Sequence, residues 1–167
     1  ITYDEYIPYA LWCSEVNAAA CVFLDTTGYA FAMAPNLSGG AFMRFVTSGR
    51  VPEIGQVLLD EAQLSALVRL VALLAAQEWF ISHIEIDQVG DVFLQVVGGG
   101  ELKVTAADDP DAVVENLLVV LASPEFTHIT PGNFQYIDLR FGNKVFLNEE
   151  MIAPPVEYAS NTPTDIQ

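Results

Sequence analysis

The sequence predicts an α+β domain, a mixed and mostly antiparallel sheet with two helices packed on it. Three observations point there. Short apolar segments follow one another across turns too tight for a crossover, which favours hairpins. Two longer stretches carry apolar residues at helical spacing behind capping residues. Strands come in runs instead of alternating singly with helices, as a doubly wound sheet would require.

Taken in order, Ile7-Pro8-Tyr9-Ala10-Leu11-Trp12 reads as a strand, with proline near its start where a missing N–H is tolerated. Cys21 to Asp25 and Tyr29 to Ala32 form a hairpin across Thr26-Thr27-Gly28. Ala34 to Gly40 is loop by composition, Phe42 to Phe45 a brief strand, and Ser48 to Gly55 loop again. Asp60 and Gln63 make a capping-box pattern, after which Leu64, Leu67, Val68, Val71, Leu74 and Ala75 share one helical face. That helix should span about 60–77. Ile81 to Asp87, Val92 to Val97 and Glu101 to Thr105 are strands joined by short glycine-bearing linkers. A second helix, at about 109–122, opens with Asp108 or Asp109 and Pro110, and Val113, Val114, Leu117, Leu118 and Leu121 form its apolar face. Phe134 to Phe141 and Lys144 to Asn148 close the domain around Gly142-Asn143. The proline-bearing tail from Ala153 should be mobile.

Composition narrows the function. The chain has 167 residues, 52% hydrophobic and 17% charged, enough apolar material for one core. Its richest apolar stretch, Leu64 to Ala76, is interrupted by Arg69 and is too short to span a bilayer. Six basic residues against 22 acidic ones give a net charge of −16. Nucleic acid is excluded as a natural partner, because phosphate binding needs a basic patch, and anionic lipid would be repelled. The acidity fits a solvated surface, or one that steers a basic partner.

A search for chemistry finds no catalytic set, no metal site and no cofactor cradle. Cys13 and Cys21 are too few and too widely spaced for a zinc site or a Cys-x-x-Cys motif. From spacing alone they are either a short-loop disulfide, in an oxidising compartment, or two unrelated buried thiols. His83 and His128 read as surface histidines. No Gly-x-Ser-x-Gly elbow occurs, and Gly98-Gly99-Gly100 lies between two strands, with no helix N-terminus to receive a phosphate.

The segment Tyr136-Ile137-Asp138-Leu139-Arg140-Phe141-Gly142-Asn143-Lys144-Val145 resembles the C-terminal signature of the bacterial cell-division family FtsQ/DivIB, an Asp-Leu-Arg-aromatic strand, a turn and a return strand. The order upstream, helix, three strands and helix, is similar to that family's β domain. Ala10-Leu11-Trp12 resembles the last strand of the POTRA domain that precedes it, and Phe23 to Gly28 with Phe31 and Ala34-Pro35 resembles the following hairpin. The resemblance divides the chain into a POTRA-like end strand or lead-in strand (1–12), an FtsQ-type β domain (13–150) and a flexible tail (151–167).

What the resemblance implies is a non-enzymatic interaction domain of a divisome scaffold, on the extracytoplasmic face of the bacterial cytoplasmic membrane at the division septum. Its transmembrane anchor and the rest of POTRA would lie upstream. Its partners would be FtsB/DivIC-like and FtsL-like division proteins, recruited by strand addition at the C-terminal hairpin. The implied contact set is Tyr136, Asp138, Arg140, Phe141, Gly142, Asn143, Lys144, Val145, Phe146 and Leu147. That compartment, with the short spacing, predicts a disulfide between Cys13 and Cys21, which lies outside the general family pattern. By strand alternation Ile137, Leu139 and Phe141 should face the core, while Tyr136, Asp138 and Arg140 form a polar face that reads a partner. A plain ion pair between Asp138 and Arg140 is the competing role for those two. Rival classes are a secreted or surface-attached adhesive module, which gives no reason for the Asp-Leu-Arg hairpin, and a small secreted hydrolase, which would need a clustered site.

Overall fold

The computed structural model describes residues 5–16, 20–37 and 40–149. Nine strands form one continuous sheet: β1 (Ala10–Cys13), β2 (Cys21–Leu24), β3 (Ala30–Ala34), β4 (Met43–Thr47), β5 (Ile81–Ile86), β6 (Val92–Val96), β7 (Glu101–Val104), β8 (Tyr136–Phe141) and β9 (Lys144–Asn148). Their order is β3-β2-β1-β4-β5-β6-β7-β8-β9. Helix α1 (Glu61–Ala75) lies in sequence between β4 and β5, and α2 (Pro110–Leu121) between β7 and β8.

This corrects the expected α+β class with its mixed, mostly antiparallel sheet. The molecule is predominantly sheet, one nine-stranded mixed sheet with two short helices, and three of its eight strand pairings are parallel. The pairs β1/β4, β4/β5 and β7/β8 are parallel. The cause is connectivity. Each helix is the crossover between two strands that end as neighbours, and a crossover returns the chain in the same direction. The β2–β3 hairpin is likewise an excursion that lets β4 lie parallel beside β1. The division expected between residues 12 and 13 falls inside β1, which sits between β2 and β4. The expected flexible tail lies outside the described residues.

Strand register sorts the two faces. One row, Val22–Trp12–Phe45–Ile84–Leu94–Leu102–Ile137–Leu147, crosses from β2 to β9, and seven of its eight residues are buried. On it lie Leu64, Leu67, Leu70 and Leu74 of α1 with Val113, Val114 and Leu117 of α2, completing one core. The helices are tied to each other by an exposed Arg69–Asp111 ion pair at 2.8 Å.

Local signals account for the helix ends. The Asp60 side chain accepts from Gln63 N at 2.8 Å while the Gln63 side chain accepts from Asp60 N at 3.3 Å, closing the capping box. Pro110 opens α2, where its missing N–H costs nothing. Buried Trp12 donates from Nε1 to Thr47 Oγ1 at 2.8 Å, so its one polar atom is satisfied.

Among the described residues, no helix lies on the opposite face. Its row reads Ala34–Cys21–Cys13–Val46–Glu85–Phe93–Lys103–Asp138–Phe146 across all nine strands. At its β1–β3 end Leu11, Cys13, Cys21 and Ala34 form a small apolar cluster with Phe23, Leu37 and Phe42.

Candidate partner-binding site

The C-terminal hairpin places every residue expected to meet a partner on the last two strands or their turn. Gly142 turns the chain at φ +63°, a conformation that L side chains rarely adopt. Its carbonyl accepts from Asn116 Nδ2 of α2 at 3.0 Å, which fixes the turn against the helix. β9 ends the strand order, so it is an edge strand, and among the described residues no strand pairs with its outer side. Such an edge presents unpaired N–H and C=O groups that can template another chain.

The hairpin separates into an inner and an outer set. Ile137 and Leu139 are buried, and Val145 and Leu147 are half-buried against the same core. Phe141 does not join them. It is 54% exposed, because the β8/β9 register shifts between Asp138 and Phe141 and breaks the alternation that would turn it inward. Phe141 instead meets Phe146, itself 53% exposed, edge to face at 5.4 Å. Gly142, Asn143 and Lys144 are exposed beside them.

Asp138 and Arg140 are turned to each other. Arg140 Nε donates to Asp138 Oδ1 at 2.9 Å and Nη2 to Oδ2 at 2.6 Å, a bidentate pair within one strand. Arg140 Nη1 donates to Asp91 Oδ2 at 2.5 Å, bracing β8 against the β5–β6 turn. Asp138 is only 6% exposed, so its carboxylate is not available to a partner. The Arg140 hydrogen bonds hold the Asp138 carboxyl below its ordinary range, against burial, which would raise it. Asp138 in turn pushes the Arg140 guanidinium up. Tyr136 lies next to Lys103, whose Nζ stands 3.9 Å from the ring centroid and 3.9 Å from Glu101.

Asp91, the third member of this ion network, was not singled out by the sequence. It lies 49 residues from Arg140, and no local pattern links the two. Another missed feature is a chain of aromatic contacts at the far end of the sheet. Tyr6 stacks on Tyr29 and Phe31, Phe31 on Phe23, and Phe23 meets Phe42 edge-on, over centroid distances of 5.2–6.1 Å.

The histidines have neighbours of their own. His83 lies between Ser82 Oγ and Glu85 Oε1, each 3.0 Å from a ring nitrogen, but the Ser82 hydroxyl also donates to Gln95 O at 3.0 Å. His128 meets Glu149 at 3.1 Å, just beyond β9. Cys13 and Cys21 are joined by a disulfide, directly opposite each other on β1 and β2 with Cα atoms 4.4 Å apart. An open groove of about 560 Å³ lies where β4 and β5 end, between Arg50, Gln63 and Gln88. No group of residues able to hold a metal ion occurs among the described residues. No protein-family model matches the chain, and no curated protein matches it.

Proposed function

We propose that this chain is an extracytoplasmic protein-interaction domain that recruits a partner segment by strand addition along β9, as the Asp-Leu-Arg hairpin of FtsQ/DivIB-like division proteins implies. The observation that carries the reading is the composition of the edge. β9 ends the strand order, among the described residues no strand pairs with the outer side of Lys144 to Leu147, and the Phe141–Phe146 pair stands exposed beside it. Main-chain pairing supplies affinity in this mode, and side chains next to the edge supply specificity. Large aromatics at an exposed strand suit an anchor, because they bury much area for little lost rotamer freedom.

The division of labour within β8 and β9 is part of the proposal. Phe141, Phe146 and Lys144 contact the partner, together with the backbone from Lys144 to Leu147. Asp138 and Arg140 hold β8 in place so that the edge is rigid before binding. On this reading the partners are FtsB/DivIC-like and FtsL-like segments at the division septum, with the chain tethered to the membrane by an anchor upstream. Nucleic acid is not a partner.

The test is titration calorimetry with the soluble extracytoplasmic segment of an FtsB-like protein against wild type, Phe146→Ala, Val145→Pro and Phe146→Pro, each checked for fold by circular dichroism. Successive N–H groups along a strand point to opposite sides, so one proline removes a donor from the open edge and the other a donor from the β8 ladder. The expected outcome is loss of binding for a folded edge-side proline and a partial loss for Phe146→Ala. If both folded proline variants bind as tightly as wild type, strand addition at β9 is wrong.

A further inference from the structure

The Cys13–Cys21 disulfide lies on the face opposite the helices, at the point where β1 is flanked by β2 and β4. Arg44 of β4 reaches it. Arg44 Nη1 stands 3.4 Å from Cys13 Sγ and 3.6 Å from Cys21 Sγ, and donates to Val16 O in the β1–β2 loop at 3.2 Å. A disulfide that serves only as a staple needs no cation against its sulfurs. A thiolate does, since a guanidinium in contact lowers the pKa of a cysteine.

We propose that Cys13–Cys21 is a reducible latch, and that Arg44 holds the Cys13 thiolate formed when it opens. The reductant is a dithiol. Its thiolate attacks Sγ of Cys21, the less buried of the two residues at 5% exposure against none for Cys13. The S–S bond breaks, and Cys13 leaves as a thiolate against Arg44. The second reductant thiol then displaces Cys21 from the mixed disulfide, leaving the reductant as a cyclic disulfide. Two electrons pass to the protein. Cys21 takes one of the two protons, and the other goes to solvent while Cys13 remains ionised.

The surroundings set two effects against each other. Leu11, Ala34, Phe23, Leu37 and Phe42 surround the pair with apolar surface, which disfavours a thiolate. Arg44 contacts both sulfurs, so a thiolate at Cys13 keeps its counter-ion without rearrangement. Glu15 lies in the β1–β2 loop and is exposed. On the next strand Glu85, in register with Val46, is engaged by His83. The Arg44 contact outweighs burial here because it is direct. Opening the latch removes the covalent cross-link between β1 and β2, while Arg44 keeps hold of Val16 O.

The experiment has two stages on the intact chain. First, dithiothreitol is added without denaturant, and reduction is followed by mass spectrometry and fold by circular dichroism. Second, the reduced protein is alkylated with iodoacetamide across a pH series, and each cysteine's midpoint is read by peptide mapping for wild type, Arg44→Met and Arg44→Lys. Reduction should proceed with the fold retained. The Cys13 midpoint should lie at least about one unit below the ordinary thiol value near 8.5. It should rise by about one unit or more in Arg44→Met and recover in part in Arg44→Lys. Resistance to reduction short of denaturation, or loss of fold on reduction, would mark the bond as a structural staple and overturn the latch. So would a Cys13 midpoint at or above 8.5, or one that Arg44→Met leaves unmoved.

Discussion

Replacing Arg140 by methionine keeps most of the side-chain stem and removes three charge-assisted hydrogen bonds, two to Asp138 and one to Asp91. The Asp138 carboxylate would then stay buried with the Arg140 backbone N–H, at 3.2 Å, in place of a guanidinium. Breaking a fully buried pair costs about 3–5 kcal/mol. The side chains of Arg140 and Asp91 keep 23% and 39% exposure, so water can replace part of what is lost. The expected cost at neutral pH is therefore about 2–3 kcal/mol. The pH dependence has a definite sign. In wild type the folded Asp138 carboxyl titrates below its unfolded value, so its stabilisation is complete above that value, near 4. It is lost as pH falls through the lower folded value. In Arg140→Met, burial is opposed only by the residue-140 backbone N–H and the charge of Lys103, so the folded carboxyl titrates higher than in wild type and the gap between variant and wild type narrows on acidification. Urea unfolding read by fluorescence of the buried Trp12 and Trp79 gives the comparison. A cost under about 1 kcal/mol at pH 7, or one unchanged near pH 4, would refute the reasoning.

Three further substitutions separate other contributions. Gly100→Ala should destabilise by more than about 2 kcal/mol in the same unfolding assay, because φ is +94° and a Cβ would stand 2.4 Å from the buried Phe134 ring. Asp60→Ala should cost about 1 kcal/mol by loss of the α1 capping box, and a thermal midpoint equal to wild type would count against that role. Arg69→Ala, which breaks an ion pair 61% and 56% exposed on its two side chains, should change unfolding free energy by less than about 0.5 kcal/mol.

What could be read from the sequence follows the range of the interaction concerned. The α1 start rested on Asp60 and Gln63, three residues apart, and the closed box lies there. The helix faces rested on a period that a few turns suffice to display, and Leu64, Leu67, Leu74, Val113, Val114 and Leu117 are buried. Sheet order was out of reach, because nothing local in Met43–Thr47 states that this strand will lie parallel to both Ala10–Cys13 and Ile81–Ile86. Reading Phe42 to Phe45 as a brief strand hid the α1 crossover, and with it the parallel pairing. At the site, alternation placed Ile137 and Leu139 correctly and failed at Phe141, where the register shift intervenes. The Asp138–Arg140 partnership was legible at a spacing of two, but the burial of Asp138 and the third partner, Asp91, brought from another turn, are set by long-range packing that no local pattern states.

Hydrogen–deuterium exchange of the chain, alone and saturated with the soluble FtsB-like segment, tests the central claim most directly. Strand addition requires outward N–H groups of β9 to gain partners, so amides within Lys144 to Leu147 should slow by about tenfold or more on binding. The β3 edge at the far end of the sheet should exchange as before. A saturated complex in which β9 exchanges at its free rate, with protection appearing elsewhere, would contradict the account.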